Sequence, residues 1–397
     1  MENLVKLLKS QNLYAAVIAT MFFVLVGFFV TKKGIFTKEI NGKISTFLLQ
    51  WALPFLCIVA FMAPAKADVA KEVGIVIGLS AAFYILIAVY NTLIIKFVPR
   101  SRLVSAKIRA QAEKMYEQSD KSQSPAQFRE AQINSYTQKL LTSQMMLAYA
   151  SLQFFAVPLV KALGAPVFNT SATALLQVWN LPYMIGAFTY VKMAYSGQKF
   201  SRNQIKPILN AIFNPMMICL YVSAILWALQ FIPAIPKFNA AGEWYSDTTN
   251  GTLQFWHAFG SQIPMIIEPI KKMVDVISPL AWIVIGGSLA TSNLKEAAKD
   301  KEVWITTIRK ALTIPVVMLL VCLPFVKFGL LSVSTGTLLV ILGACPPAAV
   351  TIIFSVAFKH EHTPYTAQVS SLSTLVSLIA LPVWTVASYG IFNALVA

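Results

Sequence analysis

The sequence predicts an all-α integral membrane protein with ten transmembrane helices, arranged as two inverted five-helix repeats in which helices four and nine are broken. Three observations lead to this fold class: the apolar composition, the number of apolar stretches, and prolines at matching places in the two halves. Hydrophobic residues make up 57% of the 397 residues, charged residues make up 12%, and the mean hydropathy is +0.66. About a quarter of the residues in a soluble domain are charged, so lipid must cover much of this surface.

Ten apolar stretches are each close to the ~20 residues that a helix needs to cross the bilayer. They lie at 13–30, 42–63, 74–95, 143–164, 168–191, 207–230, 273–290, 311–326, 334–358 and 370–394. The first stretch lacks a small-x-small cleavage site, so we expect a retained span rather than a signal peptide. Because each half contains an odd number of spans, the second half must insert upside down relative to the first. The predicted repeats are residues 1–196 and 197–397.

The chain is basic, with a net charge of +16 from 32 Lys and Arg residues against 16 Asp and Glu residues. The basic residues lie between apolar stretches and form no continuous basic face, so we expect no nucleic-acid partner. The loops after spans one, three, five, seven and nine contain 23 of them, and the opposite side contains 9. Because positively charged loops stay in the cytoplasm, both termini are expected on the non-cytoplasmic side of the plasma membrane.

The loop 97–142 is long and polar, and two helices are predicted in it with a break near Ser122. Ser124 and Gln127 have the pattern of a capping box at the start of the second helix. The loop has no counterpart in the second half. We therefore expect a solvated helical hairpin that transport does not require.

Prolines recur at matching places in the two halves. They pair spans two and seven, four and nine, and five and ten: Pro54 with Pro279, Pro158 with Pro347, and Pro182 with Pro382. A proline inside a transmembrane helix removes a backbone hydrogen bond that lipid cannot replace. We interpret Pro158 and Pro347 as the first residues of second half-helices. Such half-helices direct free N–H groups and positive dipole ends at the membrane midplane, which suits an anion without a buried cationic side chain.

Polar residues deep in the predicted spans are few and neutral. None of the six arginines lies deep in a span, and no Asp or Glu does. The absence of intramembrane carboxylates argues against a sodium or proton antiporter. Most neutral polar residues, including Gln177 and Ser355, are expected to bridge neighbouring helices. Gln153 and Thr351 lie close to the predicted breaks, so we expect them to donate hydrogen bonds to a bound anion.

Catalytic and metal-binding motifs are missing from the sequence. There is no HExxH, GxSxG or Walker A pattern. The four cysteines lie inside apolar stretches and have neither CxxC nor Cys/His spacing. His360 and His362 fall in a loop, where we interpret them as a solvated pair. We therefore expect neither an enzyme nor a cofactor nor a metal site.

Several runs resemble the auxin efflux carrier family. The run 343–351, GACPPAAVT, is similar to that family's span-nine signature, and shorter runs fit at Gly34-Ile35-Phe36, Leu53-Pro54, Asn214-Pro215 and Pro279-Leu280-Ala281. The resemblance covers residues 13–396 apart from the loop 97–142. It implies a ten-span crossover fold with the substrate at the crossing of spans four and nine. It also implies carboxylate substrates, because bacterial members are similar to malate and malonate permeases and plant members export auxin.

The leading hypothesis is a secondary transporter of small organic anions that works in the lipid bilayer by alternating access. Two alternatives stay open: a sodium-coupled symporter of the same architecture, and a non-transporting membrane sensor that uses the loop 97–142 as its output. A homodimer is also open. The family carries an asparagine at the place of Ser151, and Gln153 offers an amide nearby. The candidate substrate-binding residues are Pro54, Ser151, Gln153, Pro158, Asn214, Ser278, Cys345, Pro346, Pro347 and Thr351.

Overall fold

A computed structural model describes residues 9, 11–118, 124–165, 167–197, 202, 205–235, 237–238 and 253–396. Within these residues the chain is almost entirely α-helical, and one short antiparallel pair joins β1 (Lys237–Phe238) to β2 (Leu253–Gln254). Among these described residues, six helices are long and apolar enough to cross a membrane. The chain is therefore a membrane-embedded helical protein. The break predicted near Ser122 lies outside the described residues.

The helices of the first half are, in order, α1 (Gln11–Lys32), α2 (Lys38–Ala60), α3 (Ala67–Phe97), α4 (Arg102–Glu117), α5 (Pro125–Ala148), α6 (Leu152–Leu163) and α7 (172–196). Those of the second half are α8 (Ile205–Ile212), α9 (Pro215–Leu229), α10 (Phe255–Gln262), α11 (Pro264–Thr291), α12 (Leu294–Lys299), α13 (Lys301–Lys327), α14 (Val333–Ala344), α15 (Ala349–Ala357) and α16 (Thr363–Val396). The six long apolar helices are α1, α2, α3, α11, α13 and α16. The remaining predicted stretches coincide with other helices or helix pairs: α5–α6, α7, α8–α9 and α14–α15.

Several predicted span boundaries are wrong, and correcting two of them moves the charged residues Glu72, Arg309 and Lys310 into helices. α3 begins at Ala67 rather than at residue 74, so it contains Glu72. α13 begins at Lys301 rather than at residue 311, so Arg309 and Lys310 lie inside a continuous helix and not in a loop. A hydropathy pattern ends at the last apolar residue, whereas a helix continues as long as its backbone hydrogen bonds do.

The loop 97–142 is also shorter than its composition predicts. The predicted capping box is confirmed, because Ser124 Oγ accepts from the Gln127 N–H and the Gln127 side chain accepts from the Ser124 N–H. α5 then continues without a break to Ala148, and every residue from Leu141 onward is buried. The second loop helix is therefore the first part of a core helix, and only the α4 side is peripheral.

Four helices, α1, α2, α9 and α11, pack on one another and form what we call the four-helix bundle. Its tightest contact joins α1 to α11 through glycines. A Cβ atom on Gly27 would lie 2.0 Å from the Ile283 carbonyl oxygen, and one on Gly286 would lie 2.0 Å from the Val24 carbonyl oxygen. Only glycine lets the two backbones approach this closely.

The remaining membrane helices, α3, α5, α6, α7 and α13–α16, form the broken-helix bundle. Here α3 packs on α7, and α14 lies against α13 and α16. The buried Glu72 carboxylate of α3 caps α14, because it accepts from the Ser332 N–H and from Thr335 Oγ1 (2.7 Å) at the start of that helix. The broken-helix bundle meets the four-helix bundle mainly through α6, α7 and α16.

Candidate functional site: a paired helix break

Two helical segments of the broken-helix bundle are interrupted at depth, each by a short extended stretch. α5 ends at Ala148, and 149–151 separate it from α6. α14 ends at Ala344, and 345–348 separate it from α15. Both stretches are buried apart from the half-buried Ser151, so their backbone groups cannot be satisfied by water.

The backbone groups of the two extended stretches form hydrogen bonds with each other. Ala150 and Pro347 form an antiparallel β-bridge. The Ser151 N–H donates to the Pro346 carbonyl at 2.8 Å, and the Ala348 N–H donates to the Tyr149 carbonyl at 2.9 Å. We call residues 149–151 and 345–348 together the paired break. It places the N-terminal ends of α6 and α15 on either side of a single bridge, in the bundle interior.

The prolines do not mark the breaks as the sequence predicts. Pro158 lies within the α6 segment, after a π-helical turn at Leu152–Ala156, so the first half-helix begins before it. Pro347 lies in the extended stretch, two residues before α15 begins at Ala349. The position of each break is set by hydrogen bonds from the other extended stretch, which a proline pattern cannot reveal.

A buried cation lies beside the paired break. The Lys310 side chain is 2% exposed, and its Nζ donates to the Leu147 carbonyl at 2.9 Å. Leu147 lies in the last turn of α5, where helix carbonyls lack partners and the helix dipole is negative. Among the described residues, no carboxylate forms an ion pair with Lys310. The predicted spans leave Lys310 in the loop before the eighth span, whereas the structure buries its side chain.

Amide side chains of α6 and α7 meet next to the break. Gln153 Nε2 donates to Gln177 Oε1 at 3.1 Å, and Gln177 Nε2 donates to Gln153 Oε1 at 3.4 Å. Asn180, three residues after Gln177 and so on the same face of α7, is 1% exposed, and neither of its amide atoms has a partner. A buried amide without partners is rare and points to a ligand or a second conformation.

Residues predicted in the α15 segment mostly serve the helix itself. The buried Thr351 hydroxyl donates to the Ala348 carbonyl at 2.7 Å, within the first turn of α15. Ser355 Oγ lies 2.8 Å from Thr363 Oγ1, in agreement with a packing role. Cys345 and Pro346 lie in the paired break, and Cys345 is fully buried.

Three predicted site residues lie in the four-helix bundle instead. Pro54 is buried in α2, directly after a π-helical turn. Asn214 is the N-cap of α9, and its side chain accepts from the Met217 N–H at 3.1 Å. Ser278 is half-buried in α11, a helix that packs against α6. A cavity of about 20 Å³ lies where α1 and α11 face α6 and α16, lined by Phe155 and Trp282 among others.

The histidine loop is only partly solvated, because both rings also contact the protein. His360 Nε2 lies 3.1 Å from Gln138 Oε1, and His362 Nε2 lies 2.8 Å from the Ser135 carbonyl, so both rings contact α5. Burial, with the neighbouring His362, lowers the pKa of His360 below its ordinary value, and Glu361 opposes this. Within the described residues no three His, Cys, Asp or Glu side chains are grouped to hold a metal ion.

The fold and this site define a helical membrane protein with a buried cation and two helix N-termini at one paired break. Comparison with family models and with curated proteins finds no match to this chain.

Proposed function

We propose that this protein is a secondary transporter of small organic anions that binds its substrate at the paired break. One observation supports the proposal above all others: two interrupted helices share one backbone bridge inside the membrane, with a buried lysine beside it. Unpaired intramembrane charges are costly and are kept mostly where function needs them. The resemblance to auxin efflux carriers in the run 343–351 favours the same class and carboxylate substrates.

The electrostatics of the paired break suit an anion. Each helix N-terminus carries roughly half a positive charge, from N–H groups without intrahelical partners. α6 and α15 both begin at the break, and Lys310 adds a full positive charge next to it. A carboxylate bound there also has polar neighbours in the Ser151 hydroxyl and the Asn180 amide. Ser151 Oγ forms no hydrogen bond with any described residue.

The division into two bundles suits alternating access, in which the broken-helix bundle moves against the four-helix bundle. We propose that the chain has ten spans in two inverted repeats, 1–196 and 197–397, with α5–α6 and α14–α15 as the fourth and ninth. We also propose that it lies in the plasma membrane with both termini outside. Cysteines placed at the termini should then react with an impermeant reagent from outside, and one at Ser122 should react only from the cytoplasm.

Uptake into proteoliposomes tests the proposal. The purified protein is reconstituted and offered labelled mono- and dicarboxylates under imposed pH, voltage and sodium gradients. We expect uptake of at least one carboxylate above that of protein-free vesicles, with no transport of labelled cations. A sodium requirement would identify the symporter. Absence of any carboxylate flux from folded, inserted protein would contradict the proposal.

A shortened loop separates transport from a sensor role. Because α5 belongs to the core, the deletion must stop before Pro125 and remove only α4 and the segment that follows it. We expect uptake to persist in this variant. A second deletion that extends into α5 should abolish it, because it removes the helix that ends at the paired break.

A further inference from the structure

A groove of about 440 Å³ lies on the broken-helix bundle between α3 and α13, away from the four-helix bundle. Its volume is in the ~300–1,000 Å³ range of small-molecule sites. The walls are apolar and come from the two long helices: Leu79, Phe83, Leu86, Val317, Met318 and Val321. The floor includes Leu147 of α5 and Trp179 of α7. Several wall side chains are largely exposed, Leu86 by 67% for example, so hydrocarbon must cover them in the membrane.

The polar lining residues lie together at one end of the groove. Asn91 is near the C-terminal end of α3, Arg309 is near the N-terminal end of α13, and Gln144 is in the last two turns of α5. Among the described residues nothing forms a hydrogen bond or ion pair with the half-buried Arg309 guanidinium. Asn91 is 1% exposed; its Nδ2 donates weakly to the Gln144 carbonyl (3.4 Å), whereas its Oδ1 has no partner. The groove thus offers one free cation and one buried free acceptor.

The length of the groove matches one leaflet of a bilayer. From Arg309 to Cys322, both of which line it, α13 rises about 20 Å at 1.5 Å per residue. Half of the ~30 Å hydrocarbon core is about 15 Å, so a chain lying along the groove crosses one leaflet. The polar end is the end where α3 leads into the basic segment containing Arg100 and Arg102. A ligand that fits must be anionic at this end and apolar along the rest.

We propose that the groove is a binding site for an anionic phospholipid with hydroxyl groups in its headgroup. One acyl chain lies between α3 and α13, the phosphate pairs with Arg309, and a headgroup hydroxyl donates to Asn91 Oδ1. The occupant contacts Leu147, whose carbonyl accepts the hydrogen bond from Lys310 at the paired break. This inference does not depend on the proposed transport function, because it rests on the groove alone.

Native mass spectrometry with defined lipids tests this site. The full-length protein is released from nanodiscs that contain equal amounts of phosphatidylglycerol and phosphatidylcholine with identical acyl chains. We expect the protein to retain phosphatidylglycerol in preference to phosphatidylcholine by about tenfold, as for one charge-assisted contact. Arg309→Gln should lower this ratio severalfold, because only the headgroup hydroxyl then favours phosphatidylglycerol. Arg100→Gln removes an exposed cation on the same side that does not line the groove, so it should leave the ratio unchanged.

A second variant tests the apolar part of the groove without altering charge. Val317 is 44% exposed and lines a wall, so Val317→Trp should fill the groove and reduce retention of both lipids, with the protein still folded. Three results would overturn the proposal: equal retention of the two lipids by the unaltered protein, equal effects of Arg309→Gln and Arg100→Gln, or full retention by Val317→Trp. A dimer that releases no lipid and dissociates in Val317→Trp would assign the groove to a second copy instead.

Discussion

The helices of the two bundles pack through different kinds of contact. In the four-helix bundle, the buried polar side chains on helices or their caps are Asn41, Ser223 and Gln230, and α1 and α11 touch through glycines. In the broken-helix bundle, buried polar residues occur on every helix except α6, among them Ser143, Thr306, Thr307, Lys310, Thr337 and Ser373. Several of these side chains form hydrogen bonds with one another, such as Ser143 with Thr306 and Ser373 with Thr307.

We infer from this difference that the two bundles have different roles. Close glycine contacts give rigid van der Waals packing, because neither helix can shift without a backbone clash. Polar groups in lipid are costly unless satisfied, so we infer that the bundle with more of them is the one that binds a ligand. We therefore expect substitutions in the four-helix bundle to act on stability and substitutions in the broken-helix bundle to act on anion binding. Four predictions test this contrast.

The largest effect on stability should come from the glycine contact. Gly286→Val places a side chain against the Val24 carbonyl and should destabilise the protein by about 3 kcal/mol, seen as a lower Tm in detergent. Gly78→Val is the matched control on α3, because a Cβ there meets no atom within 4 Å. Equal Tm values for the two variants would refute the close contact.

Lys310→Met should reduce carboxylate uptake by roughly tenfold to a hundredfold, as for the loss of one hydrogen bond to a charged group. Its effect on Tm should be small, because relief of the buried ammonium offsets the Leu147 carbonyl left without a donor. The control is Lys327→Met, at the exposed end of the same helix. If Lys327→Met reduced uptake equally, the role of Lys310 at the break would be wrong.

Two buried asparagines, Asn180 in α7 and Asn41 in α2, allow the two bundles to be compared. Asn180→Ala should weaken carboxylate binding by about tenfold while leaving Tm unchanged or raised, because an unsatisfied amide is removed. Asn41→Ala removes an amide oxygen that is also without a partner, but in the four-helix bundle. Binding measured by calorimetry should be unaffected in Asn41→Ala. A loss of affinity in that variant would break the proposed contrast.

The smallest expected effect is the change of stability with pH that is due to His360 in the histidine loop. The folded pKa of His360 is lowered from 6.5, so the unfolded chain binds more protons and stability falls as pH drops below that value. We expect a small loss of stability between about pH 8 and about pH 5, attributable to this residue. His360→Gln should flatten the dependence of Tm on pH. An unchanged profile would show that burial of His360 does not lower its folded pKa.

The sequence predicts most of the helical stretches but little of the geometry at the paired break. Hydropathy locates the helical stretches, and Pro158 and Pro347 indicate interruptions in the two stretches, 143–164 and 334–358, that the structure interrupts. The burial of Lys310 is not predicted, because a lysine next to an apolar stretch is assigned to a loop by its hydropathy. Only tertiary packing buries it. The location of each break is missed because residues 149–151 owe their extended form to hydrogen bonds from 345–348.

The most direct test of the account is anion binding to a protein whose second break is removed. Replacing both Pro346 and Pro347 with alanine should let α14 run on into α15, which removes a helix N-terminus from the paired break. Titration calorimetry with the best-transported carboxylate should then detect no binding, a loss of more than about a hundredfold. Pro324→Ala, a proline inside α13 away from the break, should bind as the unaltered protein does. Normal binding by the folded double variant would contradict the account.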